Sequence, residues 1–138
     1  MISCSLCDAD QETLLWTDSR CRVVLVNEPE YSGYCRVIWH EHIKEMTYLA
    51  ESDRAHLMQI VFRVEQILRE IMHPEKINLA SLGNQVPHIH WHIIPRFSDD
   101  AHFPDPVWAA RKRDSKSDGL ERAVLTQRLR QSIADMLN

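Results

Sequence analysis

His88–Arg96 reads "HIHWHIIPR". Three of the chain's eight histidines stand here at every second position, separated by Ile89 and Trp91. Alternation is the period of a β-strand, so His88, His90 and His92 share one face, roughly 6.5–7 Å between alternate Cα atoms. Ile89, Trp91 and Ile93 then face the other way, toward a core. The run is read as a strand over residues 86–95, with one apolar side and one side of imidazoles.

The neighbouring segments supply partners for that strand. Lys76–Leu82 ("KINLASL") is strand-like, and Gly83-Asn84-Gln85 is a turn leading into the histidines. Upstream, Leu14–Thr17, Arg22–Asn27 ("RVVLVN") and Cys35–Trp39 ("CRVIW") are β-branched and apolar. Asp18-Ser19 forms the first turn between them, and the loop "NEPEYSG" at 27–33 the second. Residues 53–72 show the clearest helical period: Leu57, Ile60, Val61, Val64, Ile67, Leu68 and Ile71 recur at spacings of three and four. Ser52 or Asp53 caps its start and Pro74 closes it. A second helix is expected over 118–137, capped by Asp118. The fold class is therefore α+β: a mostly antiparallel sheet of about five strands, one long packed helix and a C-terminal helix.

A chain of 138 residues is about one domain, here 1–138, and long enough for a real core. Its 44% hydrophobic and 26% charged content suit a globular protein. No apolar run approaches the length of a membrane span. The start "MISCSLCDAD" has neither the basic nor the apolar region of an export signal. A cytoplasmic address is expected, with the four cysteines reduced. A net charge of −4 argues against a nucleic-acid-coating surface but leaves room for a small phosphorylated substrate in a local pocket.

Three readings of the histidine face compete. It is a solvated strand edge, a metal site built on alternate positions, or a nucleophilic centre in which a neutral imidazole attacks phosphorus. Three histidines on one face weigh against the first, and spacing alone does not separate the other two. The surroundings favour an anion. Gly83-Asn84-Gln85 offers amide donors and open backbone, and Asn78 lies on the adjoining strand.

The stretch resembles the signature of the histidine triad (HIT) superfamily, His-φ-His-φ-His-φ-φ with φ apolar, and fills every position of it. "VLVNEPEYSGYCRVIWHEHIKEMTYL" and "NLASLGNQVPHIH" are similar to the family's upstream segments. The resemblance covers about residues 4–97; the rest, about 98–138 with "FPDPVW", is a C-terminal extension without a recognised motif. It implies a HIT-like fold, a homodimer, and cleavage or transfer of nucleotidyl groups through a histidine–nucleotidyl intermediate. By the motif, His90 is the nucleophile, His92 donates to the bound phosphate, and His88 sits behind and orients them. Gln85 and Asn78 match phosphate-contacting positions, and Asn27 one that holds the ribose hydroxyls. The implied substrates are a nucleoside phosphoramidate or a dinucleoside polyphosphate. The alternative is a nucleotide-binding regulatory module with incidental turnover. No catalytic cofactor is implied. One position departs: Tyr34 stands where much of the superfamily has a fourth histidine, and a phenol does not protonate near pH 7.

Cys4-Ser5-Leu6-Cys7 alone is half a zinc site, a redox pair or two incidental thiols. Many bacterial histidine triad proteins and the related galactose-1-phosphate uridylyltransferases are similar in carrying such a pair. There it binds zinc, and the resemblance implies a structural zinc on Cys4, Cys7, His42 and His88, with His40 as a nearby spare. Cys21 and Cys35 read as small core residues. Arg96 is expected to pair with the acidic run Asp99-Asp100. Trp108 packs over the site or against a dimer partner. Residues 111–116 ("RKRDSK") read as a solvated linker.

Overall fold

The computed structural model describes residues 4–115 and 120–138. Strands β1 (Thr13–Thr17), β2 (Cys21–Leu25) and β3 (Cys35–Trp39) form an antiparallel meander. A 3₁₀ turn at Met46–Tyr48 leads into helix α1 (Glu51–Met72). Then β4 (Lys76–Ala80) and β5 (His90–Arg96) follow, and α2 (Arg122–Leu137) ends the chain. β5 inserts between β3 and β4, so the sheet order is β1-β2-β3-β5-β4, every pair antiparallel. The α+β class and the five-stranded sheet are as expected.

The two faces of the sheet have different fates. One face carries Val23, Leu25, Cys35, Val37, Ile77 and Ile93 into the main core. α1 covers it with Leu57, Ile60, Val61, Val64, Ile67 and Leu68, all buried. Their spacing wraps a single stripe of the helix, which is why the helix lies flat on the sheet. Leu125, Leu129 and Ile133 of α2 join the same core. The opposite face carries Arg22, Arg36, Ile38, His90, His92, Ile94 and Arg96, and loops rather than helices cover it. Gly33 ends the loop before β3 with φ +79°. A Cβ there would meet the Met72 side chain and stand 3.3 Å from Pro95 Cγ, and the left-handed φ favours glycine where this turn closes against the end of α1.

Several expected boundaries move. β5 starts at His90 instead of residue 86, and Val86–Ile89 is an irregular approach, with the Ile89 amide donating to the Ile43 carbonyl and its own carbonyl accepting from Trp39. His88 therefore precedes the ladder. α1 begins at Glu51, capped by Ala50 with no side-chain bond, so neither Ser52 nor Asp53 is its cap. It ends on His73, whose left-handed φ of 51° turns the chain before Pro74. α2 begins at Arg122, and the expected cap Asp118 lies outside the described residues. The second strand stops at Leu25 and β4 at Ala80, each two residues short of expectation. No helix among the described residues is long and apolar enough to cross a membrane.

Candidate active site

β5 delivers its two histidines side by side. His90 stands opposite Ile38 of β3, and His92 stands between Arg36 of β3 and Ala80 of β4. Their rings lie 4.8 Å apart, edge to face. Both are buried, at 8% and 5% exposure.

The hydrogen bonds assign opposite tautomers to the two rings. His90 Nδ1 lies 2.7 Å from the His88 carbonyl oxygen. A carbonyl only accepts, so Nδ1 carries the proton and Nε2 keeps its lone pair. His92 Nδ1 faces the Tyr34 hydroxyl at 2.7 Å and Arg36 Nε at 3.5 Å. A guanidinium only donates, so Nδ1 of His92 is the acceptor and its ring proton sits on Nε2. Burial lowers the pKa of His90, its bond to His88 opposing this and the Arg36 charge adding to it. His92 is pulled down to about 3 by burial, then by His90 and by Arg36. Near pH 7 both rings are neutral, one with a bare Nε2 and the other with an Nε2–H. Tyr34 itself is pushed up by burial, so its hydroxyl stays protonated and able to donate. It thereby makes a hydrogen bond that does not titrate near pH 7.

His88 belongs to a second cluster. Its Nδ1 lies 3.5 Å from Cys4 Sγ, 3.5 Å from Cys7 Sγ and 3.3 Å from His42 Nδ1, and Cys7 Sγ lies 3.4 Å from His42 Nδ1. Four donors around a tetrahedral zinc, with bonds of about 2.3 Å to sulfur and 2.05 Å to nitrogen, stand roughly 3.4–3.8 Å from one another. The observed spacings match that geometry, and these four side chains are grouped with their ligating atoms all within 4.8 Å. His88 Nε2 donates to the Trp39 carbonyl, which leaves Nδ1 unprotonated and aimed at the cluster, the orientation a metal ligand needs. The residues therefore fit a zinc ion. His40 is turned away, bonded to Thr17 and the Asp18 carbonyl.

The amide residues are spread out. Asn78 faces the same side as His92 and Ile94, and its Oδ1 accepts from Arg96 Nη1 at 2.7 Å, while its NH₂ group has no acceptor among the described residues. Gln85 is exposed and lines a cleft of about 410 Å³ with Cys4, Asp8 and His42, beside the metal cluster. Asn27 lines a separate cleft of about 300 Å³ with Glu28, Ser32, Gly33 and Arg122. Neither amide bonds to His90 or His92 among the described residues. Arg96 does pair with Asp100, by two bonds of 2.8 and 3.0 Å, while Asp99 takes no part among the described ion pairs. Trp108, half exposed, sets its ring 5.1 Å from His92. Arg36 escapes the sequence reading altogether. The alternation in "CRVIW" carries the signal, since it sets Arg36 and Ile38 on the face away from Cys35, Val37 and Trp39.

A family model described as the HIT domain matches residues 9–99. AP-4-A phosphorylases of two Mycobacterium tuberculosis strains are 22% identical over 102 residues, which is 69% of this chain and 52% of theirs. The chain thus spans about half the length of the curated relatives it matches. A histidine triad protein from Bradyrhizobium japonicum superposes with a TM-score of 0.74 at 26% identity, covering 98% of this chain and 96% of that one. A Zn-bound histidine triad family protein from Mycobacterium smegmatis gives 0.69 at 22% identity, covering 97% and 95%, and speaks for the fold alone.

Proposed function

The chain belongs to the HIT domain family, and from that premise we propose that it is a nucleotide hydrolase or nucleotidyl transferase working at the α-phosphate. The observation that carries this reading is the pairing of tautomers: a bare Nε2 on His90 beside an Nε2–H on His92. Phosphoryl transfer asks for a positioned nucleophile and for donors aimed at phosphate oxygens, more than for strong acid or base. His90 Nε2 attacks the α-phosphorus of a nucleoside phosphoramidate or dinucleoside polyphosphate, and the bond to the leaving group breaks. The nucleotidyl group is then held on His90, whose Nδ1–H stays on the His88 carbonyl. Water attacks the same phosphorus, the proton it loses passes through solvent to the departed leaving group, the N–P bond breaks, and His90 returns as a neutral ring. Throughout, His92 Nε2–H donates to a phosphate oxygen. Asn78 directs its NH₂ toward the same face. Asn27 is assigned to the ribose and Gln85 to phosphate, both from exposed loops. The name of the mycobacterial relatives, AP-4-A phosphorylase, supports a dinucleoside polyphosphate among the substrates.

A structural zinc on Cys4, Cys7, His42 and His88 belongs to the same proposal. It would hold the N-terminal segment against the approach to β5 and thereby fix the His88 carbonyl that orients His90. The donor spacing supports it. The remaining parts of the proposal are a single domain over the whole chain, a homodimer and a cytoplasmic address.

The test is turnover of adenosine 5′-phosphoramidate and diadenosine tetraphosphate by wild type and His90→Ala, with zinc measured on the same samples. Turnover lost in the variant, with zinc content equal in both, is the expected result. Binding without turnover in wild type would overturn the enzyme reading and leave a nucleotide-binding regulatory module.

A further inference from the structure

Three arginines lie on the histidine face of the sheet, and two are already neutralised. Arg22 is buried, with Nε and Nη2 on the two oxygens of Glu12 at 2.7 Å each. Arg96 is buried, with Nε and Nη2 on the two oxygens of Asp100. Arg36 differs. It is half-buried, directly across from His92 in the β3–β5 register, and its Nε lies 3.5 Å from His92 Nδ1. Among the described residues it has no carboxylate partner, and its two Nη groups make no hydrogen bond. Its carbon Cζ sits 5.8 Å from the Tyr34 ring centroid, which holds the fork in place.

Among the described residues, a chain with net charge −4 thus keeps a guanidinium without a carboxylate at its candidate reaction centre. Its positive field reaches both His90 and His92. Such a fork, rigid and with open donors, suits the bidentate recognition of a phosphate. The α-phosphate is already served by His92 and Asn78, so the group left for Arg36 is the next one along.

We propose that Arg36 binds the phosphate adjoining the α-phosphate, so that the site selects substrates whose leaving group is itself a phosphate, nucleoside di- or polyphosphates, over those with a neutral amine. This rests on the nucleotide reading above and narrows it. Arg36 acts as a specificity-determining residue: the charge it meets exists only when the substrate continues past the α-phosphorus.

The test compares equilibrium binding of AMP and ADP by wild type, Arg36→Gln and Arg36→Lys, with zinc content and circular dichroism recorded for each. Wild type should favour ADP, and Arg36→Gln should reduce the ADP-to-AMP affinity ratio by about 10-fold or more. Arg36→Lys should recover part of that ratio, because it keeps the charge without the fork. A merely structural role would weaken both nucleotides alike and leave the ratio unmoved, which would overturn the assignment. A ratio equally low for Lys and Gln would overturn it too, since charge would then not be what acts. If AMP does not bind wild type at all, the nucleotide reading fails and the Arg36 assignment falls with it. If AMP binds but ADP gains nothing from Arg36, only the assignment falls.

Discussion

Asp100→Asn should cost the fold about 3 kcal/mol at pH 7, through the stranding of Arg96. Arg96 is 2% exposed, and its guanidinium reaches Asp100, Asn78 Oδ1 and the Asp105 carbonyl. Asp100 receives six donors. Oδ2 accepts from Arg96 Nε and the Phe97 amide, and Oδ1 from Arg96 Nη2, the amides of His102 and Phe103 and, at 3.4 Å, the Tyr31 hydroxyl. An asparagine keeps the shape but must turn its NH₂ toward one of these donor sets, whichever way it flips. Two routes give the magnitude. Burial by itself would raise the Asp100 carboxyl, but the Arg96 bond and the three amides outweigh it, taking the group from 3.8 to about 2. That difference corresponds to about 2.5 kcal/mol. Breaking a buried pair by removing one partner costs about 3–5 kcal/mol.

Because the folded value is depressed, this stabilisation is fully present above about pH 4 and is lost as pH falls through about 2. The assay is urea unfolding of wild type and variant at matched zinc content, from pH 7 down toward 2. A loss of about 3 kcal/mol moves the midpoint by about 1.5 M for a slope near 2 kcal/mol/M. A loss under about 1 kcal/mol at pH 7, or a difference that persists unchanged toward pH 2, would refute the reasoning.

Two further expectations follow from the site. Stripping metal with a chelator, or Cys7→Ser, should lower the unfolding free energy by several kcal/mol, shift the midpoint down accordingly, and remove about one zinc per chain. An unmoved midpoint in demonstrably metal-free protein would show that the four side chains hold together unaided. Tyr34→Phe removes the donor to His92 Nδ1, and about 1 kcal/mol of lost hydrogen bonding should appear as a several-fold fall in kcat/KM. Since His92 is held near 3 in the wild type, the wild-type pH–rate profile should show no histidine limb from it above pH 4. Titration of the His92 ring itself above pH 4, followed by NMR of that imidazole, would contradict the assigned neutral donor.

Much of the architecture is legible in one dimension because it follows from period. Residues 53–72 alternate at three and four, and only a helix buries such a stripe. "CRVIW" and "HWHII" alternate at two, and only a strand does that. Element ends are less legible. His73 takes a left-handed turn that no residue preference demanded, and the ladder admits His90 but not His88, because the chain bends there to meet the zinc-type cluster.

The site divides in the same way. The triad positions and the Cys-x-x-Cys pair are visible as spacings, since short-range geometry fixes which side chains share a face. What the sequence cannot display is partnership across the chain. That Arg22 takes Glu12, and that Arg36 takes no carboxylate among the described residues, is decided by which strands become neighbours. The tautomers of His90 and His92 are set likewise, by a carbonyl two residues away and by a phenol and guanidinium on β3 and the loop before it. Period is a property of consecutive residues, whereas the charge and proton state of a buried ring depend on whatever the fold packs against it.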